Sequence, residues 1–377
     1  MLKSVGVPKE TAAGETRVAA TPETVGRYQK LGLEVLVEKD AGKSSRITDA
    51  EYEEAGATVV TRAEAFAADL VVKVAPPSAE EAVLFKQGGH LISFLAPLDD
   101  PQGVARLADR GVVAVSMELV PRISRAQKMD ALSAMSSIAG YRAVLDAATM
   151  LPKFFPLLTT AAGTVRPASV LVLGAGVAGL QAIATARRLG ARVSAYDVRV
   201  AVREEVQSLG AQFVELELET QDAQDSGGYA KALAEEKARR QTELLVPHIA
   251  KSDVVISTAL IPGRKAPVLV TEEAVRQMAS GSVIVDLAAA NGGNCELTQP
   301  DTVVEQHDVF IAGPTNLPAL MPVHASAMYA RTIHAMIAEF TADGAFSPDF
   351  DDDILRSACV TRAGEVVNER VKSLVEG

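Results

Sequence analysis

The sequence has no tryptophan, only two cysteines and no long uninterrupted apolar run. Cys295 and Cys359 lie far apart without the spacing of metal ligands, so we expect ordinary cytosolic thiols, no disulfide framework and no bound metal. The best candidate for a membrane span, residues 131–151, carries Arg142 and Asp146, and the N-terminus lacks the apolar region of a secretory signal. We therefore expect a cytoplasmic chain that does not itself cross a membrane.

Basic residues are fewer than acidic ones. Lysine and arginine total 37 against 48 aspartates and glutamates, which gives a formal net charge of −11. Nucleic-acid binding requires a basic face, so no nucleic-acid partner is expected. Hydrophobic residues make up 48% and charged residues 23% of the chain, as is typical of a globular protein. Its 377 residues exceed one ordinary core, so we expect two domains.

Short β-branched runs alternate with helical stretches, which is typical of parallel sheets. The pattern predicts a first series of strands at Ser4–Val7, Glu34–Glu38, Leu70–Val74, His90–Leu95 and Gly111–Glu118. It predicts a second series at Ser169–Leu173, Arg192–Tyr196, Gln212–Leu216, Val254–Thr258, Ser282–Leu287 and Val309–Ala312. The predicted fold class is α/β, with two Rossmann-like, doubly wound parallel-sheet domains flanking a cleft.

Helical segments indicate how the two domains connect. The small-residue segment 131–151 is predicted to be a connecting helix, and another helix is predicted over 325–342, after the second series of strands. Because that helix follows a complete sheet, we expect it to pack back on the first domain. The predicted first domain is residues 1–135 plus 320–377, and the second is 136–319. The tail is predicted to be an acidic turn followed by one last helix.

A dinucleotide fingerprint opens the second series. A predicted strand ending at Leu173 is followed by the GxGxxG motif Gly174–Gly179 and then by a helix. In such motifs the glycines permit a tight turn, a close approach of the backbone to a pyrophosphate, and close packing of helix and strand. Free N–H groups at the helix N-terminus favour the phosphates. The context favours a nicotinamide dinucleotide over the alternative, a glycine-rich turn without a ligand.

An acidic residue ends the next predicted strand and bears on the choice of nucleotide. Asp197 follows Gly174 at about the spacing of twenty residues expected for a ribose-binding acid. It is predicted to accept hydrogen bonds from the adenosine ribose and to repel a 2′-phosphate, which favours NAD(H). Arg199 and Arg203 lie nearby, and arginines can receive a 2′-phosphate, so they argue in the opposite direction. The position of Asp197 outweighs them.

Two motifs together resemble the superfamily of alanine dehydrogenases and transhydrogenase α subunits. They are Pro8-Lys9-Glu10 with Glu15–Pro22 near the start, and Gly174–Leu180 in the middle. The resemblance runs over nearly the whole chain, and the motifs occur in the same order. It implies a fold of two α/β domains and a nicotinamide nucleotide as the cofactor.

The residues that alanine dehydrogenases use for proton transfer are missing here. That family has an acid/base histidine after the strand matching 90–95 and an aspartate after the strand matching 282–287. Ala96 and Ala290 stand at the matching positions. Oxidation of an amino acid needs a group that takes up a proton as hydride leaves, so this activity is not expected. Arg17 and Lys73 match substrate-binding positions of that family, and we expect them to form ion pairs or line the cleft.

Other segments resemble the transhydrogenase branch of the superfamily. Arg122, Gln127 and Asp130 match its Arg–Gln–Asp loop, here residues 122–130, and Tyr229 matches the tyrosine of its mobile loop. The resemblance implies catalytic roles for these four residues. Without it, the loop is interpreted as a polar segment in which Asp130 caps the following helix.

The resemblance to transhydrogenases implies a cofactor site, a reaction and partners. The residues predicted to bind NAD(H) are Gly174, Gly176, Val177, Ala178, Gly179, Asp197, Val198, Arg199, Ser137, Thr258, Ala259 and Leu260. The implied reaction is direct hydride transfer between NADH and NADP⁺ on a partner component, coupled to proton translocation. The implied assembly contains a homodimer of this chain, an NADP(H)-binding component and a membrane-spanning component, with the chain peripheral on the cytoplasmic face of the inner membrane. The alternatives are an alanine dehydrogenase-like amino-acid oxidoreductase and a non-catalytic NADH-binding module.

Overall fold

Two mainly parallel sheets with flanking helices form the framework of the computed structural model, which describes residues 2–216, 228–261 and 263–376. The strands are β1 (Ser4–Val7), β2 (Glu34–Glu38), β3 (Thr58–Val60), β4 (Leu70–Val72), β5 (His90–Ser93), β6 (Val113–Ser116), β7 (Leu158–Thr160), β8 (Gly163–Val165), β9 (Ser169–Leu173), β10 (Arg192–Tyr196), β11 (Gln212–Phe213), β12 (Val254–Ser257), β13 (Val283–Asp286), β14 (Val303–Gln306), β15 (Val309–Ala312), β16 (Thr341–Ala342), β17 (Ala345–Phe346), β18 (Cys359–Arg362) and β19 (Glu365–Val366). The helices are α1 (Pro22–Lys30), α2 (Asp49–Glu54), α3 (Arg62–Phe66), α4 (Ala79–Ala82), α5 (Pro101–Asp109), α6 (Ala131–Met150), α7 (Val177–Arg188), α8 (Arg203–Ser208), α9 (Gly228–Ala250), α10 (Glu272–Arg276), α11 (Pro322–Glu339), α12 (Asp353–Ala358) and α13 (Glu369–Glu376).

The chain divides into two compact units, of which the first is discontinuous in sequence. Unit 1 consists of Met1–Met135 and Pro318–Gly377, and unit 2 consists of Ser136–Leu317. The first division falls inside α6, and the second falls between β15 and α11. Each unit contains one of the two large sheets.

Sheet 1, in unit 1, has the strand order β19-β18-β6-β5-β4-β1-β2-β3. The strands from β6 to β3 in this order are parallel, whereas β18 is antiparallel to β6, with Cys359 opposite Val115. The central strands are apolar along their whole length because both faces are buried, as in β4, where every residue is buried. The strand order reverses between β1 and β4, so the carboxyl ends of these strands open a crevice at the edge of the sheet.

Sheet 2, in unit 2, has the strand order β11-β10-β9-β12-β13-β15-β14. All of its strands are parallel except β14, which pairs antiparallel with β15. In β9, Leu173 lies opposite Tyr196 of β10 on one side and Ser257 of β12 on the other. The strand order reverses between β9 and β12, which is where ligands bind in open sheets of this kind.

The core of unit 2 lies on both faces of sheet 2. Along β9, alternate side chains point to opposite faces, so Val172 belongs to one buried cluster and Leu171 to the other. The first cluster includes Ala143 and Ala147 of α6, whose small side chains allow that helix to approach closely. The second includes Leu245 of α9. Sheet 2 is therefore held from both sides, and the ends of its strands are rigid positions for a site.

The predicted fold class is confirmed, since both sheets have Rossmann-like parallel order. The predicted strand Gln212–Leu216 ends at Phe213, and several short strands were missed: β3, β14, the β7–β8 hairpin and the β18–β19 pair. The predicted single C-terminal helix was wrong, because the segment 353–376 forms α12, β18, β19 and α13. Strands of two to four residues at a sheet edge are too short to produce a recognisable alternation of polar and apolar residues.

Candidate dinucleotide-binding site

A glycine turn joins β9 to α7 at the point where the strand order of sheet 2 reverses. Gly174 has a φ of +98°, which L side chains rarely adopt, and a Cβ there would lie 2.6 Å from Thr258 Oγ1. A Cβ on Gly179 would overlap the carbonyl oxygen of Gly174, so α7 can lie this close to β9 only with glycine. A Cβ on Gly176 would meet nothing within 4 Å. The turn is therefore tight inside and open at Gly176.

The N-terminus of α7 has the features of an anion-binding helix end. Gly176 is the N-cap, and among the described residues no side chain caps this end and no acid lies in its first turn. The free N–H groups and the dipole of this 12-residue helix favour a negatively charged group. On the other side of the turn, a Cβ on Gly140 of α6 would overlap the carbonyl oxygen of Ala178. Helix α6 thus packs directly against the turn and fixes its position.

Asp197 follows β10, the strand next to β9, and its carboxylate is almost fully buried. Oδ2 accepts from the amide of Ala175 at 2.7 Å, and Oδ1 accepts from the amide of Arg199 at 2.8 Å. The Arg199 guanidinium donates to both oxygens, with Nε–Oδ1 and Nη2–Oδ2 distances of 3.0 Å. Burial opposes ionisation, but the hydrogen bonds and the charge of Arg199 outweigh it and lower the pKa of Asp197. An ionised carboxylate therefore lies beside the glycine turn.

The segment after β12 is tied to the same turn by hydrogen bonds. Thr258 Oγ1 donates to the carbonyl oxygen of Gly174 at 3.1 Å. The amide of Ala259 donates to Asn294 Oδ1 at 3.0 Å, and Asn294 Nδ2 donates to the carbonyl oxygens of Ala259 and Pro267, both at 2.8 Å. Asn294 is fully buried, so it acts as a clamp that sets the path of the backbone beside the glycine turn.

A buried acid at the end of β13 holds Asn294 in turn. Asp286 Oδ2 accepts from the amides of Asn294 at 2.7 Å and Cys295 at 3.0 Å, and Oδ1 accepts from Ser257 Oγ at 3.0 Å. The sequence-based prediction gave no role to Asp286 or Asn294. A signal was available: an acid ending an apolar strand is followed by two consecutive glycines, and both of these have positive φ.

These residues fit a dinucleotide with an NAD-type adenosine. The open Gly176 and the uncapped helix end suit a pyrophosphate, and the ionised Asp197 suits a ribose diol. Val198 is 69% exposed and Leu260 is 51% exposed, and they follow β10 and β12 on either side of β9, where apolar groups can contact a nucleobase. The structure thus brings the predicted residues of 174–179, 197–199 and 258–260 to one edge of sheet 2.

The Arg–Gln–Asp loop lies in unit 1 and forms a 3₁₀ helix, Ser124–Met129, just before α6. Asp130 caps α6, because its Oδ1 accepts from the amide of Ser133 at 2.8 Å. The flanking residues Arg125 and Lys128 form ion pairs, with Asp352 at 2.6 Å for Arg125. The side chains of Arg122 and Gln127 are exposed, and within the described chain neither has a hydrogen-bond partner. The loop is anchored, while two of its polar side chains stay available.

The remaining predicted site residues lie on helices of unit 2. Ser137 is half-buried in the second turn of α6. Tyr229 is the second residue of α9, and its side chain lies outside the part of the chain that the structure describes. Most of the segment predicted to be a mobile loop, residues 217–227, also lies outside that part.

The crevice of sheet 1 contains buried ion pairs. Lys73, after β4, donates to Glu10, after β1, at 2.8 Å and lies 3.4 Å from Glu81, and all three side chains are almost fully buried. Burial raises the pKa of Glu10 despite the nearby ammonium. A second buried pair joins Arg17 to Glu15 at 2.5 Å. These cations are neutralised by neighbouring acids, which leaves the glycine turn of unit 2 as the better candidate for phosphates.

The two alanines singled out in the sequence carry no group for proton transfer. Ala96 follows β5 with a φ of +45°, and its amide and that of Leu95 donate to Glu118 at 2.8 and 2.9 Å. Ala290 lies in a short 3₁₀ turn, Ala289–Asn291. Over residues 2–216, 228–261 and 263–376, no group of three or more histidine, cysteine or acidic side chains is arranged to hold a metal ion. Over the same ranges, no helix combines the length and apolarity needed to cross a bilayer.

Comparison with known proteins places the chain in one family. Residues 6–139 match the family described as alanine dehydrogenase/PNT, N-terminal domain, and residues 143–369 match alanine dehydrogenase/PNT, C-terminal domain. The first part of the NAD(P) transhydrogenase alpha subunit of Rhodospirillum rubrum, a separate polypeptide, is 46% identical over 374 residues, which cover 97% of each chain. The crystal structure of transhydrogenase from Sinorhizobium meliloti has a TM-score of 0.86 and 41% identity, over 97% of this chain and 99% of that one. An L-alanine dehydrogenase structure has a TM-score of 0.83 and 28% identity, over 99% of both chains. The chain therefore belongs to the alanine dehydrogenase/PNT family, and within it to the group of NAD(P) transhydrogenase alpha subunits.

Proposed function

We propose that this chain is the NAD(H)-binding component of a proton-translocating transhydrogenase, in which hydride passes directly between NADH and NADP⁺ held on a partner component. The observation that carries the proposal is the ionised Asp197 beside the open, uncapped glycine turn at Gly176. The turn supplies amide donors for a pyrophosphate, and the acid supplies acceptors for a ribose diol. An acid at this position repels a 2′-phosphate, which assigns NAD(H) to this chain and NADP(H) to the partner.

The chemistry of the proposed reaction asks little of the protein beyond positioning. Bound NADH supplies a hydride, and transfer between two nicotinamide rings moves no proton at the reacting carbons. The protein must hold the ring within about 3–3.5 Å of its acceptor. The methyl groups of Ala96 and Ala290, at the positions of the alanine dehydrogenase acid/base residues, are compatible with a reaction that needs no proton shuttle.

The exposed residues of the Arg–Gln–Asp loop are the proposed positioning groups. The side chains of Arg122 and Gln127 can donate to a carboxamide or a ribose hydroxyl, and Gln127 can also accept. Asp130 fixes the end of the loop by capping α6, so its proposed contribution is to the shape of the loop. Tyr229 and Ser137 are proposed as further groups that contact the nicotinamide half.

The proposed assembly follows from the same family. Relatives are named as one subunit of a transhydrogenase, which supports an assembly of several polypeptides. We propose a homodimer of this chain, bound to an NADP(H)-binding component and to a membrane-spanning component at the cytoplasmic face of the inner membrane. A proton that moves through about 100 mV releases about 2.3 kcal/mol, enough to bias a near-balanced exchange between NAD and NADP by more than tenfold.

The test is reconstitution of hydride transfer from separate components. The full chain is mixed with the NADP(H)-binding component of a related transhydrogenase, and NADPH reduces an NAD⁺ analogue whose reduced form absorbs at its own wavelength. The expected result is reduction that requires both proteins. Binding of NADH without any transfer would instead assign a non-catalytic nucleotide-binding module and would contradict the proposal.

A second candidate is an amino-acid oxidoreductase, favoured by the similarity to the L-alanine dehydrogenase structure and by the buried Lys73 and Arg17 in the crevice of unit 1. The buried ion pairs argue against it, because a substrate carboxylate would have to displace Glu10 or Glu15. The discriminating assay supplies NAD⁺ and L-alanine to the chain alone. Turnover at rates typical of enzymes, about 1 per second or more, would establish this second function and refute the first.

A further inference from the structure

Every acceptor position of the Asp197 carboxylate is taken by a donor of the protein itself. A carboxylate offers about four lone-pair positions, and Asp197 accepts four hydrogen bonds. Two come from backbone amides, of Ala175 and Arg199, and two come from the Arg199 guanidinium. A ribose diol that binds this acid must therefore replace donors that are already present.

The four donors differ in how easily they can leave. The amide of Ala175 belongs to the glycine turn, and the amide of Arg199 follows closely in the chain, so both are held by the backbone. The Arg199 side chain is 58% exposed, whereas that of Asp197 is 7% exposed. A guanidinium on a flexible, solvated side chain can rotate into water at a small cost, because exposed ion pairs contribute little stability.

The second arginine near this edge is also neutralised. Arg203, at the start of α8, forms an ion pair with Glu215 at 2.9 Å, and its guanidinium lies 5.7 Å from the centre of the Phe213 ring. Both arginines that could receive a 2′-phosphate are therefore paired with acids. For Arg199, that acid is the same carboxylate that a ribose needs.

We propose that Arg199 is a displaceable latch on Asp197, and that the pair sets nucleotide specificity: the ribose of NAD(H) displaces the guanidinium, while Asp197 keeps it from binding a 2′-phosphate. The inference rests on the proposed binding of NAD(H) at the glycine turn. It assigns Arg199 a role opposite to that of a simple ligand, since its side chain competes with the preferred nucleotide. It also makes Arg199 a latent NADP(H)-binding group, which becomes available when Asp197 loses its charge.

The expected effects follow from the strength of an exposed, bidentate ion pair. Such a pair weakens a competing ligand by up to about fivefold. Arg199→Ala should therefore tighten NADH binding by about twofold to fivefold and leave NADPH binding weak. Asp197→Asn keeps the size of the side chain but removes its charge. It should weaken NADH binding by about tenfold or more and strengthen NADPH binding, because the freed guanidinium can reach the 2′-phosphate.

The experiment is a double-mutant cycle on the full chain. Wild type, Arg199→Ala, Asp197→Asn and the double variant are titrated with NADH and NADPH by calorimetry, and thermal unfolding verifies that each variant is folded. Arg188→Ala is the matched control, since it removes one exposed charge at the far end of α7. The gain in NADPH affinity from Asp197→Asn should disappear in the double variant, and the control should bind both nucleotides like wild type.

The outcomes separate the latch from the underlying assignment. Loss of NADH affinity in Arg199→Ala would overturn the latch, since it would make Arg199 a direct ligand. Equal NADPH affinity in Asp197→Asn and in the double variant would overturn the latent role of Arg199. Wild type that gives no heat with NADH would overturn the proposed function itself, and the latch with it.

Discussion

Gly176→Ala tests whether the open side of the glycine turn is where the pyrophosphate binds. Gly176 has φ −78° and ψ −167°, which alanine adopts without strain, and the added Cβ would meet nothing within 4 Å. The free protein should therefore keep its stability to within about 1 kcal/mol, because a replacement of this kind mainly restricts the unfolded chain. The methyl group would occupy the side of the turn that is open to a ligand.

The expected effect on binding is large because the backbone of this motif lies against the phosphates. An amide that donates to a phosphate oxygen lies about 2.9 Å from it, and a Cβ lies about 2.5 Å from the nitrogen of its own residue. The methyl and the pyrophosphate then compete for the same space. We expect NADH binding to weaken by at least about 100-fold, equivalent to about 2.7 kcal/mol.

The assay combines NADH titration with thermal unfolding, and Gly179→Ala is the matched control. In that control a Cβ would overlap the carbonyl oxygen of Gly174, so α7 must shift away from β9 and stability should fall by about 1–3 kcal/mol. Gly176→Ala should thus lose binding with an unchanged unfolding midpoint, whereas Gly179→Ala should lose both. If Gly176→Ala binds NADH as wild type does, the pyrophosphate does not lie against this turn.

Three further changes address other parts of the molecule. Gln127→Asn shortens a proposed positioning side chain by one methylene, so hydride transfer should slow by about 100-fold in single-turnover kinetics while the NADH affinity stays within about twofold; equal losses in both would refute the positioning role. Asn294→Ala leaves the amide of Ala259 without its acceptor and should lower the free energy of unfolding in urea by about 2–4 kcal/mol, with weaker NADH binding, whereas a loss under about 0.5 kcal/mol would show that Asn294 is not a clamp. Burial opposes ionisation of Asp69, but hydrogen bonds from Lys86 and two backbone amides outweigh it and lower its pKa from 3.8 to about 2. A lowered folded-state pKa stabilises the fold above the unfolded value and loses that effect as the pH falls towards 2, so Asp69→Asn should cost about 1 kcal/mol, after discounting for solvent screening, in denaturation at pH 7 and nothing near pH 2.

The central strands could be predicted because they are apolar on both faces. β1, β2, β9, β10 and β15 have the predicted bounds, since each is a short β-branched run between turn residues. Elements whose stability comes from a distant partner could not be predicted. β18 is an example: its four residues pair with β6, which is far away in the sequence, and nothing local distinguishes them from the predicted helix.

The candidate site could be predicted where local backbone geometry dictates the residue type. Gly174 and Gly179 are required by a positive φ and by close packing, and both requirements leave a spacing that can be recognised in the sequence. The roles of Asn294 and Asp286 depend on hydrogen bonds between segments that follow different strands, so spacing alone did not identify them. The hydrogen bonds between Arg199 and Asp197 likewise required a description of side-chain geometry.

The pairing of β18 with β6 has a consequence for how the molecule matures during synthesis. Thr361 Oγ1 donates to the carbonyl oxygen of Val112 at 2.7 Å and accepts from the amide of Ala114 at 3.1 Å, so this edge is completed only after the segment containing Thr361 has left the ribosome. Residues 136–317 can fold while β6 still has unpaired backbone groups that invite other chains. The unit that is translated first is therefore the last to be finished, and nascent or clipped chains that end before β18 should be the aggregation-prone species that chaperones must shield.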